Sequence, residues 1–243
     1  MLPAWDNLPE DGKGCGKKAK KSGKILMPVI LKVSNKESEE KILSRSVKLL
    51  VDGGIIAYPT ETFYGLGADA ANERSIEKIF AVKGRDFKNP ISLIIGTPDD
   101  IYPLVQDIPE SAHKLMSAFW PGALTIVFSA SDKVSPMLTA GTGKIGLRIS
   151  SHPIANAIVQ RLKKPLTATS ANLSGESECS LPSEVAEQIG NRVDAILDWG
   201  KTQGGKASTI IDVSCDPPVI LREGAISTEA IRKHLAVLDT NIH

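Results

Sequence analysis

An α/β fold is predicted: one open, twisted mixed sheet with helices packed on it. Three observations predict it. Short apolar runs alternate with segments of helical periodicity. The alternation is not strict, because strand-like runs follow one another between Leu124 and Ile149 and between Thr209 and Leu221. The chain has 243 residues, 42% hydrophobic and 23% charged, enough for one large core. No linker interrupts residues 25–243, which are taken as one domain.

Residues 1–24 differ from the rest. Six lysines and four glycines alternate there without apolar periodicity, which reads as a flexible basic tail. Ile25–Val33 reads as a strand with Pro28 at an edge. Ser38 is placed as the cap of a helix over Glu39–Val51, where Leu43, Val47 and Leu50 share a face and Gly53-Gly54 end it. Ile55–Tyr58 is a short strand, and the polar run that follows it reads as a loop. Ser75 is placed as the cap of a helix through Ile76, Ile79 and Phe80. Ile91–Ile95 reads as a strand, and Thr97-Pro98 as a helix start. A helix over Pro109–Phe119 stops at Trp120-Pro121-Gly122. Strands are expected at Leu124–Phe128, Ile145–Ile149, Pro165–Thr169, Ala195–Leu197, Thr209–Val213 and Val219–Leu221. Helices are expected at Pro153–Leu162, Pro182–Ile189 and Thr228–Leu238.

Composition narrows the function. Lys plus Arg number 29 and Asp plus Glu 28, so no global field attracts nucleic acid. Aromatic residues are 5%, which disfavours a base-stacking platform. The three cysteines are dispersed and odd in number, which fits a reducing, cytoplasmic setting. No run approaches the ~20 apolar residues of a membrane span, so no membrane partner is expected. The HExxH, GxSxG, GxGxxG and P-loop patterns are absent.

The chemistry-bearing residues cluster just after apolar strands, where open α/β sheets bind ligands. Pro59–Gly67 offers hydroxyls and two glycines that let backbone approach a ligand, or else an ordinary capped turn. Lys83 and Arg85, with Lys88 and Asn89 near, can reach one polyanion; the alternative is a favourable helix C-terminus. Thr167–Gly175 suits phosphate or ribose hydrogen bonding, and also plain turns. Arg148 sits inside a strand that should be buried and therefore needs an anionic partner, from a core salt bridge or a ligand.

Seven motifs, in order and spacing, resemble the YrdC family of threonylcarbamoyl-AMP synthases. They are YPTETFYGLG (Tyr58–Gly67), KGR (Lys83–Arg85), FWPGALT (Phe119–Thr125), GLR (Gly146–Arg148), TSANLSG (Thr169–Gly175), STIID (Ser208–Asp212) and LREG (Leu221–Gly224). The match runs from about Ser38 to Leu235 and resembles the short form of the family. The resemblance implies a YrdC/RibB-like sheet around a cationic concave site. It implies that L-threonine, bicarbonate and ATP, with Mg2+ accompanying the ATP, yield threonylcarbamoyl-AMP and pyrophosphate. A separate transferase complex would pass the group to tRNA. By motif, Lys83 and Arg85 would be catalytic and hold the ATP phosphates. Asn89, Ser170, Asn172 and Arg222 would contact the nucleotide, and Thr62, Arg148 and Ser208 would hold threonine. The chain departs from many members at Ile94, where histidine is frequent, and at Glu223, where proline is. It also departs at Lys144, which replaces a hydroxyl residue and is added as a phosphate contact. A non-catalytic module binding double-stranded RNA or tRNA on the same fold is the competing expectation.

Overall fold

The structure is a computed structural model and describes residues 28–84 and 87–236. The basic segment 1–24 and Arg85 therefore lie outside the described residues. The expected mixed α/β architecture is present, but its strands divide between two sheets. The first orders β1 (Val29–Lys32), β9 (Ala195–Asp198), β2 (Ile56–Pro59), β3 (Tyr64–Gly67) and β8 (Thr169–Ser170). The second orders β11 (Val219–Arg222), β10 (Thr209–Asp212), β5 (Leu124–Ser129), β6 (Lys144–Arg148), β4 (Leu93–Ile94) and β7 (Leu166–Thr167).

Side-chain alternation fixes which face packs where. On β2 and β9, Ile56, Tyr58, Ala195 and Leu197 face helices α1 (Lys36–Val51) and α5 (Pro153–Leu162). The intervening Ala57 and Ile196 join the larger core between the sheets, with Phe80, Ile126, Phe128 and Leu147. Each large apolar side chain so enclosed contributes about 1.5–3 kcal/mol.

Helix α1 begins earlier than its periodicity predicts. Asn35 is the cap: its Oδ1 accepts from Ser38 N at 2.8 Å, while Ser38 Oγ accepts from Asn35 N at 2.9 Å. Ser38 thus stands at the third helical position of a reciprocal capping box. The same shift occurs in α2 (Glu73–Lys83), capped by Asn72 rather than Ser75 and ended by Gly84 at φ 60°. Thr97 does precede a turn, but a short 3-10 helix, Pro98–Ile101. Helices α3 (Glu110–Phe119), α4 (Pro136–Thr139), α6 (Pro182–Ile189) and α7 (Thr228–Ala236) complete the set.

Two strand expectations change. The single strand Pro165–Thr169 is two: β7 pairs with β4 in the second sheet and β8 with β3 in the first, so the chain changes sheets at Ala168. Thr167 stitches this crossing, its Oγ1 accepting from Ala68 N and donating to Leu66 O. The supposed loop YGLG is strand β3, antiparallel to β2 with Tyr58 opposite Gly65. Its glycines make room for the Tyr58 ring: a Cβ at Gly65 or at Gly67 would lie 2.8 Å from ring atoms. Tyr58 is fully buried and donates to Thr167 O at 3.0 Å, so the ring has a fixed seat. Gly67→Ala should therefore destabilise the protein by about 1–3 kcal/mol through overpacking. Thermal unfolding should show the midpoint several degrees lower; an unchanged midpoint would show that the ring moves aside.

Candidate functional site

The two sheets leave a cleft of about 200 Å3 between them, entered where several strands end. The turn after β2 brings Thr60 and Thr62 to one wall, their hydroxyls 3.2 Å apart. Arg148 is the last residue of β6, Ser170 of β8 and Arg222 of β11, and Ser208 directly precedes β10. Thr62, Arg148, Ser170, Ser208 and Arg222 thus line one cavity although 160 residues of sequence separate the first from the last.

Arg222 is docked rather than loose. Its Nη2 donates to Ser208 O at 2.8 Å and its Nε to the same oxygen at 3.2 Å. Ser208 Oγ lies 3.1 Å from Thr125 Oγ1. Burial lowers the Arg222 pKa; Glu178 opposes this, and the like charge of Arg148 adds to it. An arginine so placed remains charged, so two guanidinium groups share the cleft. That is a ground state suited to anions.

Arg148 has the anionic partner that its burial requires. Its Nη1 lies 3.0 Å from Glu61 Oε1, with both side chains under a tenth exposed. Glu61 and Glu178, the latter also lining the cleft, were missed as site residues. Glu61 lies inside the quoted motif at Tyr58–Gly67, and the demand of a strand arginine for a carboxylate is the signal that could have found it.

Other expected site residues lie outside the cleft lining. The Lys83 side chain is buried beneath the cleft and donates to Ser170 O at 2.5 Å and to Asn172 O and Oδ1 at 3.0 Å each. Asn172 is also buried, its Nδ2 donating to Glu176 O at 2.6 Å. Both groups hold the Ser170–Glu176 loop, and neither is among the residues that line the cavity. Asn89 is exposed and does not line the cleft. Ile94 packs fully buried in the helical core, while Ser92 of the same segment lines the cavity.

Comparison with known proteins agrees with this architecture. The Sua5_yciO_yrdC family model, described as telomere recombination, matches residues 48–224. A relative from Vibrio campbellii, named threonylcarbamoyl-AMP synthase, is 36% identical over 187 residues, 76% of this chain and 100% of its own length. The chain belongs to the Sua5/YciO/YrdC family. A Pyrococcus abyssi relative of the same name is 37% identical over 207 residues, 85% of this chain. The crystal structure of P. abyssi Sua5 complexed with L-threonine superposes with a TM-score of 0.81 at 35% identity, covering 86% of this chain and 61% of that one. The chain spans about three fifths of the length of these P. abyssi proteins.

Lys144, expected as a phosphate contact, stands apart from the cleft. It begins β6, at the strand end opposite Arg148, and is absent from the cleft lining. Its Nζ pairs with Asp212 Oδ2 at 2.8 Å. Burial alone would raise the Asp212 pKa, but hydrogen bonds from Lys144 and Ser214 outweigh it and hold the carboxyl below its usual range. A depressed carboxylate stabilises the fold above its unfolded-state pKa, and that contribution fades as pH falls through the folded one. Lys144 is 43% exposed, so screening limits the pair to under about 1 kcal/mol. Lys144→Ala should leave turnover and the KM for ATP within twofold of wild type. It should also move acid unfolding to slightly higher pH. A large rise in the KM for ATP would restore the phosphate role.

Proposed function

We propose that this chain is a threonylcarbamoyl-AMP synthase. The observation that carries the reading is the convergence of Arg148, Arg222 and the hydroxyls of Thr62, Ser170 and Ser208 on one cleft. The names of relatives at 36–37% identity support it, as does the related Sua5 structure complexed with L-threonine.

The chemistry asks for positioning. Threonine nitrogen bonds to the carbon of CO2 drawn from bicarbonate and loses a proton, which gives a carbamate. A carbamate oxygen then attacks the α-phosphorus of ATP, the bond to the bridging oxygen breaks, and pyrophosphate leaves. No protein nucleophile is needed; two anions must be brought together and their charge offset. Arg148 pairs with the threonine carboxylate, Thr62 and Ser208 hydrogen-bond to the amino acid, and Ser170 and Arg222 contact the nucleotide. Each such donor contributes about 2.7–4 kcal/mol to the transition state. Lys83 keeps the Ser170 loop in register, and Arg85 belongs to the phosphate side by motif.

Among the described residues no group of three His, Cys, Asp or Glu side chains is arranged to hold a metal ion, and Glu61 is committed to Arg148. Mg2+ would arrive with the triphosphate, held by phosphate and water. The product is an activated acyl phosphate whose consumer is a threonylcarbamoyl transferase complex acting on tRNA. Among the described residues no helix is long and apolar enough to cross a membrane. Incubation with L-threonine, bicarbonate, ATP-Mg2+ and pyrophosphatase should give a threonine-dependent AMP adduct by mass spectrometry. Absence of that adduct with folded protein would end the reading.

A further inference from the structure

We propose that Glu61 is a positioning residue for the amino-acid substrate. Its charge holds the buried Arg148 guanidinium in place at the cleft wall as a preset fork for a carboxylate. The inference rests on the proposed synthase reading and names what sets the affinity of its amino-acid subsite.

Arg148 lines the cleft, whereas Glu61 does not. Glu61 Oε1 is 3.0 Å from Arg148 Nη1, and both side chains are nearly excluded from solvent. The pair is braced. Ser150 Oγ donates to Glu61 Oε2 and accepts from His152 N at 3.2 Å. Ser150 is itself fully buried. Glu61 Oε1 makes no hydrogen bond of its own, so the charge of Arg148 is what compensates it. This is an arrangement in which neither partner can swing away without stranding a buried charge.

A guanidinium carries five donors in a rigid plane. Glu61 engages Arg148 as an ion pair at 3.0 Å and takes up none of its N–H donors as a hydrogen bond, so the fork that a second carboxylate takes bidentately is kept. The clamp also neutralises Arg148 while the cleft is empty, which lessens the cost of keeping it buried. A carboxylate is required for this: a neutral amide of the same shape could still accept from Ser150 but could not hold the cation.

The test measures initial rates with L-threonine, bicarbonate and ATP. Wild-type turnover establishes the synthase reading independently; without it that reading fails whatever Glu61 does. Given turnover, Glu61→Gln should raise the KM for L-threonine about 10-fold, equivalent to ~1.4 kcal/mol of binding. The KM for ATP should stay within twofold and kcat should change little. Glu61→Asp, which keeps the charge, should recover part of the loss. In an Arg148→Ala background, Glu61→Gln should cause no further rise in the dissociation constant for L-threonine, measured by calorimetry. A Glu61→Gln enzyme with unchanged threonine KM would overturn the proposal. So would equal rises for both substrates, or losses that add to those of Arg148→Ala. Should Glu61→Gln not fold, Ser150→Ala loosens the same clamp with both charges kept. It should then raise the threonine KM alone, and an unchanged value would likewise overturn the proposal.

Discussion

Arg148→Ala should lower turnover of L-threonine at least about 100-fold, the loss that follows removal of one preorganised donor of ~2.7–4 kcal/mol. The arginine lies at the end of β6 in the shared cleft, where the proposed reaction would hold the substrate carboxylate against the nucleotide. The same substitution strands Glu61 at under a tenth exposure without its cation. Breaking a buried pair from one side costs about 3–5 kcal/mol. At roughly 2–4 °C per kcal/mol for a chain of this size, the midpoint should fall visibly. The two effects separate by design. Adding Glu61→Gln removes the stranded carboxylate and should restore part of the lost stability without restoring turnover. Arg148→Lys keeps the charge but not the fork, so it should stay folded and bind threonine weakly. Wild-type rates from a folded Arg148→Ala enzyme would remove the carboxylate-holding role.

What could be read from the sequence was whatever depends on near neighbours. The bounds of α5 and α6 match their expectation because a proline at the first helical position and the apolar spacing behind it are local signals. Strand β3 was hidden because its glycines answer to the ring of Tyr58 on the adjacent strand, and glycine in isolation reads as a turn. The caps of α1 and α2 shifted because a serine at the third helical position imitates a cap when the asparagine before it is overlooked. The split at Ala168 could not be read because it depends on which sheet offers an open edge. At the site, strand-end arginines and hydroxyls were legible by type. Their mutual arrangement was not: Glu61 answers Arg148 across 87 positions of sequence, and Lys144 answers Asp212 across 68. Cationic residues look alike until the carboxylates they face are known.

Lys83→Met should cost both stability and nucleotide affinity, and the pairing of these losses is what identifies its task. A residue that only met phosphates would lose affinity alone. Here the ammonium of Lys83, a residue 4% exposed, donates to Ser170 O, Asn172 O and Asn172 Oδ1, while Lys83 O accepts from Ser174 N at 2.9 Å. Side chain and backbone together pin the loop that carries Ser170 into the cleft. Methionine fills the volume but donates nothing, leaving buried acceptors that each cost about 1–3 kcal/mol. A partly relaxed loop should bring the total to roughly 2–5 kcal/mol, and with it a midpoint lower by several degrees. The KM for ATP should rise through displaced Ser170, while Ser170→Ala should weaken nucleotide binding with little change in the midpoint. Calorimetric ATP binding beside thermal unfolding reads both. Lost ATP affinity at an unchanged midpoint would mean that the ammonium leaves its carbonyls for the triphosphate. Lys83 would then be a direct ligand and not the anchor of the loop.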